Sequence, residues 1–397
     1  MKFLKSIYRK KRKNESWVKY VSYLLHLWLG LLSAVVVMIL CLTGCLYAFK
    51  NQVTDFTNRE IAYVKNASGK QVSVSSVQKQ FAKEGKELTS VVIPRNPQRS
   101  FVISYKEGNV DKTCYYDQYA KRILGVPNTG ANRFFEIVLD LHRNLMMANF
   151  GRQVVGASVL IFCFLLLSGL ILWLPKKLKY VKQGLTIKIK SKFARLNHDI
   201  HNVMGFYTFL LLFFIAVTGL YVTYPWMKNT LIVALGGASI AEATAIDNKE
   251  ANSAFDDLMA DMMQKQNEKK ATPAKTVPLD QIINLSNKEL SYNATTSVAL
   301  PNKDNPRFVV IKTNTENLLG MMLPDEVTFD QAGQLKSKNI FAQLPLNKQF
   351  TALAKPLHTG EIMGLASIII YFIVCLIGFL LPVTGFFIWW HRYAKMK

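Results

Sequence analysis

Residues 201–222 read HNVMGFYTFLLLFFIAVTGLYV, and residues 26–47 read HLWLGLLSAVVVMILCLTGCLY. A shift of 175 residues lays one on the other, so that His26 meets His201, Gly30 meets Gly205, Thr43 meets Thr218 and Gly44 meets Gly219. Each stretch is apolar between a histidine and a Thr-Gly pair. Polar groups beside hydrocarbon are costly unless they have partners or a task. The fold and the function both turn on what those histidines do.

The two stretches belong to a set of four. No Asp, Glu, Lys or Arg occurs in Val21 to Phe49, Gln153 to Leu174, Val203 to Pro225 or Ile362 to Trp390. Each run is long enough for the roughly 20 residues that cross a bilayer as a helix. The chain as a whole carries a formal charge of +23, a value that raises nucleic-acid binding as a first possibility. The placement of the charge excludes it. Residues 1–20, 175–200 and 391–397 hold 19 Lys/Arg against Glu15 and Asp199 alone, and the remainder is close to balanced. Basic short loops stay in the cytoplasm. The expected topology is a cytoplasmic N-terminus (1–20), spans at 21–49, 151–174, 203–225 and 362–390, a cytoplasmic loop at 175–202 and a cytoplasmic C-terminus (391–397). Segments 50–150 and 226–361 then lie outside, and membrane lipid is the first partner.

Thr-Gly at residues 43 and 44 is followed by Cys45, a pattern that can also signal lipoprotein cleavage. The other spans carry LSGL, VTGL and VTGF at matching depth without the cysteine, which favours a helix-packing motif built on small residues. The five cysteines form no disulfide framework, and no C-x-x-C-H marks covalent haem attachment.

The repeat extends beyond the first and third spans. A shift of 216 lays the second span on the fourth, with His142 on His358, Gly169 on Gly385 and Trp173 on Trp389. At a shift of 207, TSVVIPRNPQRSFVISY (89–105) meets TSVALPNKDNPRFVVIK (296–312). The unit is helix, outer segment, helix, written twice. Each outer segment reads as a small α+β module with its own core. A helix (VSSVQKQFAKE or LDQIINLSNKE) precedes two β-rich runs, a Pro/Asn turn and a third strand. Residues 252–275 are extra in the second copy and read as a helix and polar linker. The fold class is thus a polytopic α-helical membrane protein with two extracytoplasmic α+β modules.

All six histidines lie at or near span ends. His26 pairs with His201 and His142 with His358 in the repeat, whereas His198 falls on Tyr23 and His391 on Pro175. The topology puts the first pair at the inner face and the second at the outer face. Facing imidazoles across a helix bundle suit bis-histidine haem, one group per pair, held without covalent attachment. Other metals, a proton path and a purely structural role stand beside that reading. His198 shares a helix face with His201 and competes with it as the inner ligand, or contacts a haem propionate, or helps a donor dock. Asp199 lies off that face and favours the positive end of the third helix. Arg143 and Arg152 are candidates to pair with propionates or an anionic ligand, or to anchor at the interface. Tyr115, Tyr116 and Tyr119 either stack on a ligand or belong to a strand core.

These residues resemble the PepSY-associated transmembrane family, which includes iron-regulated membrane proteins and bacterial ferric-siderophore reductases. The resemblance rests on LLHLWLG…LTG, DLHRNL…SGLILWLP, HDIHNVMG…VTGLYV and LHTGEIMG…VTGFFIWWHR, with a PepSY-like module in each outer segment, and covers nearly the whole chain. It implies a bacterial cytoplasmic-membrane oxidoreductase with haem b that passes electrons outward, in several members to ferric siderophores or other ferric chelates. Some relatives carry a flavin/NAD(P)H domain after the last span. This chain ends six residues past His391, so quinol or a separate cytoplasmic reductase is the expected donor. Two other functions compete. A membrane-anchored PepSY-type regulator of envelope peptidases needs no histidines in its spans. A metal or chelate transporter fits poorly with spans that hold no acidic residue, in which Pro382 alone is a kink and not a site.

Overall fold

The computed structural model describes residues 10–237, 277–302, 305–317 and 319–394. The expected helix and linker of 252–275 lie outside the described residues, as do the ends of both termini. The main elements in chain order are α1 (Trp17–Ala48), α2 (Val74–Lys83), β1 (Glu87–Ile93), β2 (Phe101–Glu107), β3 (Val110–Asp117) and β4 (Arg122–Gly125). Then follow α3 (Thr129–Asn144), α4 (Ala148–Trp173), α5 (Phe193–Thr223) and α6 (Leu279–Glu289). The last are β5 (Thr296–Ala299), β6 (Phe308–Asn314), β7 (Leu323–Phe329), β8 (Leu335–Asn339), α7 (Leu346–Thr359) and α8 (Leu365–Ala394). The chain divides into two compact units, one built on the long helices and one on the strands.

In the helical unit, α1, α4, α5 and α8 run for 32, 26, 31 and 30 residues. At about 1.5 Å per residue each exceeds the thickness of a bilayer core. Their outer faces stay apolar and uncovered, with Leu32 and Leu210 each 74% exposed. Such a surface is soluble only in lipid, and the protein is a polytopic membrane protein. α1 packs on α4 and α8, and α5 packs on the same two, so α1 and α5 stand diagonally across the bundle. The helix α5 begins at Phe193, well inside the stretch expected as a loop. Arg195 and Asp199 are one turn apart there and pair at 2.9 Å, which supports a helical start to an otherwise mixed sequence.

In the strand unit, both outer segments enter one antiparallel sheet of order β4-β3-β2-β1-β5-β6-β7-β8. This corrects the expectation of two modules with separate cores. The join is β1 against β5, where Val91 faces Val298 and Val92 faces Ser297. Phe81, Ile103 and Tyr116 from the first segment share one cluster with Ile282, Val310 and Phe329 from the second. The physical reason lies in the edges. Two separate sheets would each leave β1 or β5 unpaired, and pairing them removes both exposed edges at once. The helices α2 and α6 form as expected over VSSVQKQFAK and LDQIINLSNKE and are tied end to end. Asp280 accepts from Ser73 Oγ at 2.5 Å and Val74 N at 2.8 Å, while Asp280 N donates to Ser75 Oγ at 3.0 Å. The short outermost strands β4 and β8, largely exposed, carry no clear alternation and were not legible as strands.

Two outcomes test this sheet. Val92→Cys with Ser297→Cys should cross-link under mild oxidation, and Val92→Cys with Ala299→Cys should not, because only the first pair is directly opposed. Non-reducing electrophoresis separates the two cases. Burial alone would raise the Asp280 pKa, but the hydrogen bonds from Ser73, Ser75 and Val74 outweigh it and hold the carboxyl low. A depressed folded-state pKa means its contribution is present above the ordinary carboxylate range and disappears as pH falls through the folded value. Asp280→Ala should therefore cost about 1 kcal/mol near neutral pH and much less in acid, measured by denaturant unfolding at both pH values.

Candidate functional site

The four repeat-matched histidines all lie in the helical unit and are held by one recurring contact. His26 on α1 has its Nδ1 3.0 Å from Ser168 Oγ on α4. His201 on α5 has its Nδ1 2.8 Å from Thr384 Oγ1 on α8. At the other end of the bundle, His142 on α3 meets Thr43 Oγ1 of α1 at 2.9 Å, and His358 on α7 meets Thr218 Oγ1 of α5 at 3.3 Å. Each hydroxyl also donates its own proton to a carbonyl of its helix. Ser168 donates to Leu165 O, Thr384 to Leu380 O, Thr43 to Ile39 O and Thr218 to Phe214 O, at 2.7 to 3.1 Å.

That second bond fixes the tautomer. A hydroxyl has one proton, and where it goes to a backbone carbonyl the oxygen can only accept from the imidazole. The Nδ1 of each histidine is therefore the protonated nitrogen. At His358 the assignment is doubly made, since Nδ1 also donates to Ile215 O at 3.0 Å. In every case Nε2 is left with its lone pair. This is the arrangement in which a second-layer hydrogen bond orients a metal-binding imidazole. Outside the long helices, burial pushes His142 down to about 4, with the facing His358 adding to the effect, and burial lowers His358 as well. Both rings are neutral at pH 7.

Glycine makes room for each ring. A Cβ placed on Gly169 would lie 3.2 Å from His26 Cε1, and one on Gly385 would lie 3.4 Å from His201 Cε1. The same distances are 3.7 Å for Gly44 with His142 and 2.9 Å for Gly219 with His358. The Ser/Thr-Gly pairs were expected to serve close helix packing. The structure adds a second use, because the hydroxyl holds an imidazole and the glycine beside it lies next to the ring, most closely at Gly219 and Gly169. The matching depth of the four pairs was the available signal.

The rings face each other in the pairs that the repeat brings into register. His26 and His201 have centroids 6.4 Å apart, and His142 and His358 have centroids 6.2 Å apart. A metal bridging two imidazoles has bonds of about 2 Å, and with each nitrogen about 1.1 Å from its ring centre the centroids come to roughly 6.3 Å. The observed separations leave room for an ion between the rings. His26 and His201 also line a cavity of about 610 Å³ walled by Phe162, Phe206, Phe209 and Trp173. An apolar chamber of this size with a few polar groups suits a flat organic cofactor. Among the described residues no group of three or more His, Cys, Asp or Glu forms a conventional metal cluster.

The remaining candidates are scattered. His198 is half exposed, lies 3.9 Å from Asp199 and reaches the cavity wall. Asp199 is buried against Arg195 and accepts from Lys188 N at 3.4 Å, so it ties the basic loop to α5 rather than serving the first turn. His391 packs on Phe193 with centroids 5.6 Å apart. Arg152 donates to Thr223 O, and Tyr224 donates back to Arg152 O at 2.7 Å, joining α4 to the end of α5. Arg143 is exposed. In the strand unit, Tyr116 donates to Gln80 and Tyr119 to Pro97 O, while Tyr115 lines an open cleft with Arg95, Arg99 and Asn293.

A search of the curated proteins finds no match to the chain. The family described as the PepSY-associated TM region matches residues 23–392, a stretch that contains all four paired histidines and their hydroxyl partners. The chain belongs to the PepSY-associated TM region family.

Proposed function

We propose that this protein is a di-haem electron carrier that takes electrons at the cytoplasmic face and delivers them to an acceptor outside, a ferric siderophore or similar ferric chelate. The observation that carries the reading is the repeated pair of facing imidazoles, each with Nδ1 held and Nε2 unprotonated. Held between such imidazoles, haem iron supplies a one-electron couple. His26 and His201 serve the inner site, and His142 and His358 serve the outer one. Ser168, Thr384, Thr43 and Thr218 keep each ring in its tautomer and orientation, and the apolar walls of the cavity exclude water.

The sidedness follows from the basic loops. Nineteen Lys/Arg at the termini and in residues 175–200 support a reading in which those segments face the cytoplasm of a bacterium, the spans cross its inner membrane and the strand unit lies outside. The chain itself is a duplicated unit on this reading, in line with the mirrored strand order on either side of the β1–β5 join. The donor is quinol or a separate cytoplasmic reductase. Outside, Arg95 and Arg99 at the cleft with Tyr115 offer positive charge to an anionic chelate. Reduction to Fe(II) loosens the hard oxygen ligands that favour Fe(III), which releases the metal.

Purified protein expressed with ample haem should show a reduced-minus-oxidised spectrum of bis-histidine haem at two per chain, and a colourless preparation would sink the proposal. His26→Ala and His201→Ala should each remove the same haem, with the double variant losing no more than either alone. His142→Ala and His358→Ala should remove the other. His198→Ala and His391→Ala should keep both, since neither ring belongs to a facing pair. Loss of a haem from His198→Ala but not from His201→Ala would reassign the inner ligand.

The glycines give a graded test. Gly219→Ala brings a methyl within 2.9 Å of His358 and should lower occupancy of the outer site, whereas Gly44→Ala, at 3.7 Å from His142, should leave it close to full. Haem per chain, counted by extraction, reads both. Equal occupancy in the two variants would show that the imidazole positions do not set binding.

A further inference from the structure

Trp389 lies one turn beyond Gly385 on α8 and lines the cavity shared by His26 and His201. Its indole Nε1 is buried and has no hydrogen-bond partner among the described residues. A buried N–H without an acceptor is costly and calls for an explanation. The repeat supplies a control. Trp173, which lies 216 residues earlier and lines the same cavity, donates its Nε1–H to Gly184 O at 3.0 Å. One indole of the pair is satisfied by protein, and the other is not.

The cavity has more donors at the same end. Arg12, Tyr23 and Arg392 line it, and Arg392 donates to the Tyr23 hydroxyl. His198, Asn202 and Ser33 add further polar groups to the wall, and no Asp or Glu is among the lining residues. Glu15 accepts from Arg12 N at 3.2 Å beside the cavity, but N–H donors and two guanidinium groups in a wall that itself holds no carboxylate fit a ligand that brings carboxylates. Haem carries two. Other groups of the cavity wall, such as Phe206 and Leu381, are apolar and suit a macrocycle.

We propose that Trp389, Arg392 and Arg12 receive the propionates of the inner haem, with the Trp389 indole N–H donating to one of those carboxylates. The proposal rests on the haem reading given above and adds residues and an orientation to it: the carboxylates point toward the part of the cavity wall formed by Arg12, which precedes α1, and Arg392, in the last turn of α8. The consequence is electrical. Propionate charge near the iron favours the ferric form, and donors that neutralise it favour the ferrous form. Trp389 and Arg392 therefore raise the inner midpoint potential.

The test is a redox titration of the full-length protein, following each haem by absorption, with resonance Raman spectra of the propionate bending modes. Trp389→Phe keeps the ring and removes the N–H. It should retain two haems per chain, lower the midpoint of the haem that His26→Ala removes, shift its propionate mode and leave the other haem unchanged. Arg392→Gln should lower the same midpoint. Trp173→Phe should leave the propionate mode in place and shift the inner midpoint less than Trp389→Phe does, because its N–H already serves Gly184. An unchanged midpoint and vibration in Trp389→Phe would overturn the proposal, as would an equal shift in Trp173→Phe, which would mark a general packing effect. Where Trp389→Phe fails to retain the inner haem, Arg392→Gln decides, and an unmoved midpoint there overturns it. Haem-free wild-type protein would instead refute the underlying haem reading.

Discussion

An imidazole N–H held by a hydroxyl that already donates its own proton is the contact on which the helical unit is organised. It occurs four times, at Ser168, Thr384, Thr43 and Thr218, always between a histidine of one helix and a hydroxyl of another. In hydrocarbon an unpaired polar group costs several kcal/mol, so each histidine needs a partner whether or not anything else binds. The hydroxyl meets that need on one nitrogen and, by its own back-bond, prevents the other nitrogen from carrying the proton. A carboxylate could orient the ring as well, but it would bring a charge into a span that has none. A neutral hydroxyl does the same job without that desolvation cost.

The contact also explains why the helices are arranged as they are. α1 and α5 stand diagonally, and the hydroxyls that hold His26 and His201 come from α4 and α8, the two helices between them. Each ring is thus braced by a neighbour while facing its partner across the middle. At the opposite end the roles reverse, and α1 and α5 supply Thr43 and Thr218 to histidines that precede α4 and α8. Every long helix therefore contributes one Ser/Thr-Gly pair. At Gly219 and Gly169 an added Cβ would crowd the imidazole, at 2.9 and 3.2 Å, whereas at Gly385 and Gly44 it would only touch the ring, so the repeat of small residues follows the repeat of histidines with unequal force.

Much of this was legible in the sequence. The four charge-free runs, the two histidine pairs and the helices VSSVQKQFAK and LDQIINLSNKE are read from local patterns, because hydropathy and 3.6-residue spacing are properties of neighbours in the chain. The single sheet was not legible. TSVVI and TSVAL announce strands, but nothing in either says that Val91 will lie against Val298. Strand alternation fixes which face is buried and leaves the identity of the lateral neighbour open. At the site, the histidines were visible as pairs, whereas the function of Thr43 and Ser168 was hidden because a small residue beside glycine is also the ordinary signature of helix packing. Only the distance to an imidazole on another helix separates the two meanings. Asp199 was misplaced for a related reason, since its place on α5 depended on a helix start at Phe193 within a stretch that reads as a basic loop.

The turn that follows His142 shows how strongly the ring positions constrain the backbone. Leu145, Met146 and Ala148 all have positive φ, at 54°, 58° and 47°, in a region that non-glycine residues seldom enter. Each such residue costs on the order of 1–3 kcal/mol. In the second copy the corresponding turn follows His358 and places glycine at Gly360 and Gly364, with φ of 79° and 64°. Ala148 and Gly364 occupy equivalent places 216 residues apart, so a positive φ is kept in both copies although only one copy has the residue that tolerates it. A turn that served only to connect two helices could relax where the sequence disfavours it. This one joins the helix that carries His142 and ends at Asn144 to the span that begins at Ala148, and its positive-φ residues fall in the short interval from Leu145 to Ala148 between the paired imidazole and the membrane helix that follows.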